Sequence, residues 1–192
     1  MDAGYYERFY EDEKTRVLSR AQVAHLALGV TELIAWFGGE LRAVLDIGAG
    51  TGLWRDWFAA NRSNVRYVST DKSEYACARY RHLERGIASW RSRRKFDLVI
   101  CQGVLPYLDS REVSAAIENI AAMCRGFLYL EAATSRDLRE HCDARLTDAS
   151  MQGRSVAFYR SRLSPHFVAV GCGLFYLRTG PLVFYDLEHL DR

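Results

Sequence analysis

The stretch Val44-Leu45-Asp46-Ile47-Gly48-Ala49-Gly50-Thr51-Gly52 constrains the fold more than any other part of the chain. It opens with a short apolar run of the kind found in a parallel strand buried on both faces. Three glycines follow at alternate positions, and a helical pattern begins directly after them, over residues 53–60. Without side chains the backbone can turn sharply there and let a ligand press against it. The helix N-terminus behind the loop offers unpaired N–H groups to an anion such as a carboxylate or phosphate.

Spacing separates this loop from two nucleotide-binding rivals. The dinucleotide fingerprint G-x-G-x-x-G would need a glycine where Leu53 stands. A P-loop would end in Gly-Lys-Ser/Thr, which is absent.

The pattern beyond the loop alternates. Apolar runs at 43–47, 65–70, 96–101 and 127–131 read as strands, with a brief apolar stretch at Ile87-Ala88. Helical spacing covers 53–60, 73–85, 110–123 and 156–163. Strands alternating with helices imply a parallel sheet covered on both faces. Two β-rich runs, 167–177 and 182–187, are joined only by Arg178-Thr179-Gly180-Pro181. So short a link cannot make a parallel crossover, so these runs are expected to form an antiparallel hairpin. Upstream, residues 5–37 carry Val17, Leu18, Val23, Leu26, Leu33 and Trp36 at helical spacing, as one face of two consecutive helices. The expected architecture is α/β: a doubly wound, mostly parallel seven-stranded sheet ending in an antiparallel hairpin. It forms one domain over residues 1–192, with a helical cap at 1–40, a cofactor-binding half at 41–132 and a substrate-side segment at 133–192.

Composition excludes several classes. The chain has 192 residues, enough for one domain with a real core. Its net charge of +2 gives no overall pull toward nucleic acid or membrane. Five scattered cysteines without a C-x-x-C pair suit reduced, buried thiols in a cytoplasmic protein, and no metal site is expected. No apolar run approaches bilayer length, and the acidic, aromatic N-terminus is unlike a signal peptide.

A second acid stands at the end of the second strand, in Tyr67-Val68-Ser69-Thr70-Asp71-Lys72-Ser73. Ligands of open α/β sheets bind at such strand tips, where an acid can hold both hydroxyls of a ribose. Asp71 could equally cap the helix that follows.

Taken together, these residues carry a resemblance. VLDIGAGTG resembles the first motif of class I S-adenosylmethionine-dependent methyltransferases, YVSTDKS their second, and KFDLVICQGVLPYLD their fourth-strand motif. The likeness spans about residues 44–131 and is specific to the superfamily, not to a substrate. It implies S-adenosylmethionine as cofactor, with S-adenosylhomocysteine as product. By that resemblance Gly48, Ala49, Gly50 and Gly52 approach the methionine portion, and Asp46 orders the loop near its amino group. Asp71 and Lys72 belong to the ribose side, and Cys101, Gln102 and Gly103 line the sulfonium end. Family members often carry an acid at the third strand tip for the adenine amine. Arg85-Gly86-Ile87-Ala88-Ser89-Trp90 has none. Adenine is therefore expected to rely on backbone groups at Ile87 and Ala88 and on packing against Trp90.

A sulfonium methyl is already activated, so the protein's main task is positioning an acceptor in line. A general base is needed only for an acceptor that arrives protonated. Tyr107, Glu131 and His141 are the catalytic candidates, the first two at the ligand-bearing edge of the sheet. Against these stand loop-edge packing for Tyr107, capping for Glu131 and simple solvation for His141. Tyr5, Tyr6 and Tyr10 could form an aromatic lid or merely pack a helix on the domain.

The small cover favours a small-molecule acceptor for a monomer or homodimer, with neither nucleic acid nor membrane as partner. The basic stretch Arg79, Arg81, Arg85, Arg91, Arg93, Arg94 and Lys95 keeps an RNA methyltransferase as the alternative. A non-catalytic S-adenosylmethionine-binding protein is the other.

Overall fold

Strand β1 (Ala43–Ile47) is buried at all five positions, because it lies at the centre of a sheet covered on both faces. It pairs in parallel with β2 (Arg66–Asp71) on one side and β4 (Phe96–Gln102) on the other. The two-residue β3 (Leu83–Glu84) extends the β2 edge, and β5 (Cys124–Glu131) pairs in parallel with β4. Beyond β5 lie β7 (Leu174–Leu177), antiparallel to it, and then β6 (Phe167–Gly171), giving the order β3-β2-β1-β4-β5-β7-β6. The structure, a computed structural model, describes residues 1–185.

Side-chain alternation along the strands divides the core in two. Leu45, Val99, Cys101 and Leu128 face α5 (Ser110–Met123) and α7 (Val156–Leu163). Val44, Leu98, Ile100 and Phe127 face α2 (Arg20–Trp36) and α3 (Leu53–Asn61). Capping boxes fix the starts of both larger helices. Ser19 and Gln22 exchange bonds at α2, and Asp109 and Glu112 do so at α5.

The strand ends opposite the glycine loop are tied by one carboxylate. Asp97 Oδ2 accepts from the backbone N–H groups of Arg42 and Ala43, both at 2.8 Å, and the guanidinium of Arg125 grips both of its oxygens. Burial pushes the Asp97 carboxyl upward, but these hydrogen bonds outweigh it and hold the group below its ordinary range.

Three expectations need correction. The helix expected over 73–85 ends early: α4 spans Glu74–Tyr80, and the third strand is Leu83–Glu84 rather than Ile87-Ala88. Arg81 turns the chain with φ 62°, and the buried His82 imidazole then bonds to Ser69 and Gly50, so tertiary contacts override helix propensity.

The terminal hairpin lies wholly within the first β-rich run. Gly171, Cys172 and Gly173 all have positive φ and make the turn, at 131°, 50° and 77°. Residues 182–185 form no strand, since β7 already has a neighbour on each side. Leu182 and Phe184 pack instead against the α2-side core, and positions 186 and 187 of that run lie outside the described residues.

The first of the two N-terminal helices is only α1 (Ala3–Tyr6), continued by a π-helical turn over Glu7–Glu11. Val17 and Trp36 are exposed, and α2 buries Val23, Ala27, Val30, Thr31 and Ile34 instead.

Replacing Asp97 with Ala is expected to cost about 2 kcal/mol at pH 7, since two amides and a guanidinium lose their acceptor. A carboxyl depressed in the folded state stabilises above its unfolded pKa and loses that contribution as pH falls through its folded value. The gap between parent and Asp97→Ala in urea unfolding is therefore expected to narrow below about pH 4.

Candidate active site

The glycine loop is fastened to the tip of β2. Gly48 and Ala49 donate their N–H groups to the carbonyl of Thr70 at 2.8 and 3.0 Å, and Gly50 donates to Asp71 Oδ2 at 3.0 Å. All three glycines have positive φ, and a Cβ on Gly48 would lie 2.3 Å from Val104 Cγ2. The loop therefore tolerates no side chain at Gly48.

His82 holds the loop from behind. Its Nε2 lies 3.0 Å from the Gly50 carbonyl, and its Nδ1 lies 2.9 Å from Ser69 Oγ. A carbonyl only accepts, so Nε2 carries a proton. Burial pushes the His82 pKa below its ordinary value, which keeps the ring neutral and makes the Ser69 hydroxyl the donor to Nδ1.

The question of whether Asp71 caps α4 resolves in favour of Ser73, whose Oγ accepts from the Ala76 N–H. Asp71 accepts from Ser73 N at 2.8 Å as well as from Gly50, so its carboxylate joins loop to helix. Tyr6 and Tyr10 lie close enough for the Asp71 charge to add to the upward push of burial on both phenols.

In front of the loop is a cavity of about 500 Å³, within the range of small-molecule sites. Asp46, Gly48, Ala49 and Gly50 form one wall, Gln102, Gly103 and Tyr107 a second, and Glu131 and His141 a third. The N-terminal segment covers it with Tyr5, Tyr10 and Arg16, and residues 142–151 add Asp148 and Met151. All three catalytic candidates therefore share one cavity with the glycine loop.

Other predicted residues sit elsewhere. Gly52, Asp71, Lys72, Ile87, Ala88 and Cys101 are not on this wall. Gly52 begins α3 in the left-handed conformation. Lys72 is exposed. The Cys101 side chain points into the α5-side core, where burial pushes its thiol up to about 12. Ile87 is buried in that same core, and Asn119 Nδ2 donates to the Ile87 and Ala88 carbonyls. A second cavity, about 480 Å³, opens between α7 and the β6–β7 hairpin and touches none of the predicted residues.

Sequence reasoning missed several groups that shape the main cavity. Tyr67 donates to Asp46 Oδ2 at 2.7 Å. Burial pushes the Asp46 carboxyl up to about 7, with the Tyr67 hydrogen bond pulling the other way. Trp54 Nε1 donates to Gln102 Oε1 at 2.8 Å, and Gln102 Nε2 donates to Glu131 Oε2 at 3.0 Å.

The Tyr5 and Tyr107 hydroxyls are 2.9 Å apart, and burial leads in pushing both phenols above their ordinary range. Both stay neutral at physiological pH. Buried Arg154 donates to the Leu105 and Leu108 carbonyls, clamping the turn that carries Tyr107. The position of Trp54 in the first turn of α3, directly after the glycine loop, and the alternation in β2 could have flagged Trp54 and Tyr67. Nothing local marked His82 or Arg154.

Comparison with known proteins agrees with this geometry. Residues 45–126 match the family described as a methyltransferase domain. The strand order is that of the class I S-adenosylmethionine-dependent methyltransferase fold.

No curated protein sequence matches this chain. Among solved structures it is similar to magnesium protoporphyrin IX methyltransferase from Synechocystis with bound S-adenosylmethionine (20% identity, 92% of each chain, TM-score 0.60). A second is an S-adenosylmethionine-dependent methyltransferase from Clostridium acetobutylicum (12% identity, 93% of this chain and 97% of that one, TM-score 0.67). A third is an N-methyltransferase from Bradyrhizobium japonicum in complex with S-adenosylhomocysteine (16% identity, 91% and 97%, TM-score 0.59). At these identities the likeness is one of fold.

The buried Asp46 carboxyl gives a stability test. A carboxyl raised in the folded state favours the protonated form, so its stabilising contribution is complete below about pH 4 and lost as pH rises through about 7. An asparagine at this position would keep an acceptor for Tyr67 without the charge. Asp46→Asn is therefore expected to raise the stability of the ligand-free protein by about 1–3 kcal/mol at pH 8, by less at pH 5, and hardly at all below about pH 4. Thermal melting of parent and variant at pH 8, 5 and 3.5 checks this.

Proposed function

We propose that this methyltransferase acts on a small-molecule acceptor held in the cavity between the glycine loop, Tyr107 and His141. The observation that carries this is that cofactor-loop and acceptor-side residues line one cavity of about 500 Å³. Such a space suits a compact ligand better than a polymer strand.

The residues present fit S-adenosylmethionine. Gly48, Gly50 and Gly103 turn bare backbone with positive φ toward the cavity, and no atom lies within 4 Å of where a Gly103 Cβ would stand. In this assignment Gly48, Ala49 and Gly50 hold the methionine portion, and Asp46 and Gln102 flank it. Asp71, with Lys72, is the ribose anchor behind the loop, and access to it depends on Tyr6 and Tyr10. Ile87 and Ala88 remain the adenine-side segment. When bound, the cofactor supplies an electrophilic methyl on sulfur.

The chain's own groups then position and desolvate the acceptor. Tyr107 is a neutral phenol hydrogen-bonded to Tyr5, so it orients an acceptor and does not abstract its proton. Glu131 is already engaged by Gln102 and Tyr129. For an acceptor that arrives protonated, His141 and Asp148 are among the bases on the wall. Two of the structural relatives are a porphyrin methyltransferase and a plantazolicin methyltransferase with a desmethyl substrate analogue, both named for small-molecule substrates.

Calorimetric titration with S-adenosylhomocysteine is expected to give micromolar binding that weakens at least about tenfold in Asp71→Ala. Absence of binding to the parent would sink the assignment. Tight RNA binding that falls steeply with salt would favour the RNA alternative over a small acceptor.

A further inference from the structure

The stretch from Leu130 to Thr134 faces two cavities by turns. Glu131 and Ala133 stand on the wall of the main cavity, whereas Leu130, Ala132 and Thr134 line the second one, of about 480 Å³. Side chains that alternate in this way belong to an extended chain. One layer of backbone therefore separates the two spaces. The second lies between α7 and the β6–β7 hairpin, and its volume is in the range of small-molecule sites.

Leu163, Phe167, Leu174 and Phe175 give this second cavity an apolar lining. Charge on its wall is one-sided. Among the described residues the wall carries Arg160 and no carboxylate. Arg160 is exposed, and its guanidinium makes no hydrogen bond or ion pair with the described protein. Arg162, on the same helix, is by contrast committed: it donates to Ser114 Oγ and to the Phe158 carbonyl, both at 2.9 Å.

Tyr159 stands on the same wall. The residue is buried, and its hydroxyl is the one buried side-chain polar atom without a hydrogen-bond partner among the described residues. Native proteins seldom leave such a group unpaired, because burial strips it of water without replacing the bond.

An apolar space with one uncommitted cation, no anion and one unpaired hydroxyl suits an amphipathic acid. We infer that this cavity binds a small organic monocarboxylate, its apolar body among Phe167, Leu174 and Phe175 and its carboxylate on Arg160, with Tyr159 Oη as a second donor. A phenol donates to a carboxylate, and a guanidinium offers it two parallel N–H groups. An amine would meet Arg160 as a like charge and find no carboxylate to pair with. The main cavity carries Asp46, Glu131, Asp143 and Asp148 against Arg16, so the two spaces favour different ligands. The second site stands apart from the cofactor assignment.

Calorimetric titration of the full chain tests this with octanoate and 4-phenylbutyrate, which share a carboxylate and differ in apolar body. Octan-1-ol serves as the uncharged counterpart. The parent is expected to bind at least one acid, and more tightly than the alcohol. Arg160→Gln is expected to lose about three- to tenfold for that acid and to stay within about twofold for the alcohol. Tyr159→Phe is expected to lose about three- to tenfold for the acid as well. Its melting temperature without ligand is expected to equal or exceed the parent's, since the hydroxyl removed had no partner. That separates lost recognition from lost folding.

Unchanged acid affinity in either variant, or an alcohol that binds as tightly as the acids, would overturn the inference. So would a parent that binds neither acid. The tighter of the two acids tells whether the ligand's body is a flexible chain or a ring.

Discussion

The attachment of the glycine loop to the tip of β2 is the constraint on which the rest of the site depends. Three consecutive loop amides point at Thr70 and Asp71 rather than into the cavity. That leaves the loop's other side, Gly48 to Thr51, as the cavity wall. Buried β1 fixes where the loop starts, and His82 fixes the Gly50 carbonyl from behind. A buried polar backbone must be paired somewhere, and here the pairing is arranged so that one face is committed to the sheet.

The N-terminal segment converts that wall into an enclosure. Tyr10 lies within 3.4 Å of where a Gly50 Cβ would stand, Tyr5 reaches Tyr107, and Arg8 donates to the Arg145 carbonyl. One short segment therefore touches the glycine loop, the β4 turn and the 142–151 segment together. The tyrosine rings pack on one another as well, with Tyr6 stacked 5.5 Å from Tyr75. Both alternatives for these tyrosines hold at once: the segment is packed on the body, and it also roofs the cavity.

Periodicity carried most of the sheet. β1, α5 and α7 match their expected bounds because each meets a local boundary: glycine after β1, the Asp109 cap before α5 and Pro165 beyond α7. The failures share a cause. The end of α4, the position of β3 and the hairpin turn were all settled by distant partners or by a non-glycine residue at positive φ, Arg81 and Cys172. Neither leaves a periodic trace. The glycine loop, Asp46 and the β4 turn were legible because backbone exposure demands glycine and strand tips are few.

Charge placement around the cavity limits the chemistry available to it. The phenols nearest the acceptor side are held neutral by burial, so they can donate or accept hydrogen bonds without becoming bases. Asp46 sits where its ionisation is balanced near neutrality. A cationic ligand placed beside it would shift that balance toward the carboxylate, which strengthens the attraction when the site is filled and spares the empty protein the full cost of a buried charge. Such an arrangement suits a reaction whose electrophile arrives already activated. The protein then needs little proton transfer of its own, and its buried groups can be committed to holding the two reactants in line while water is kept out.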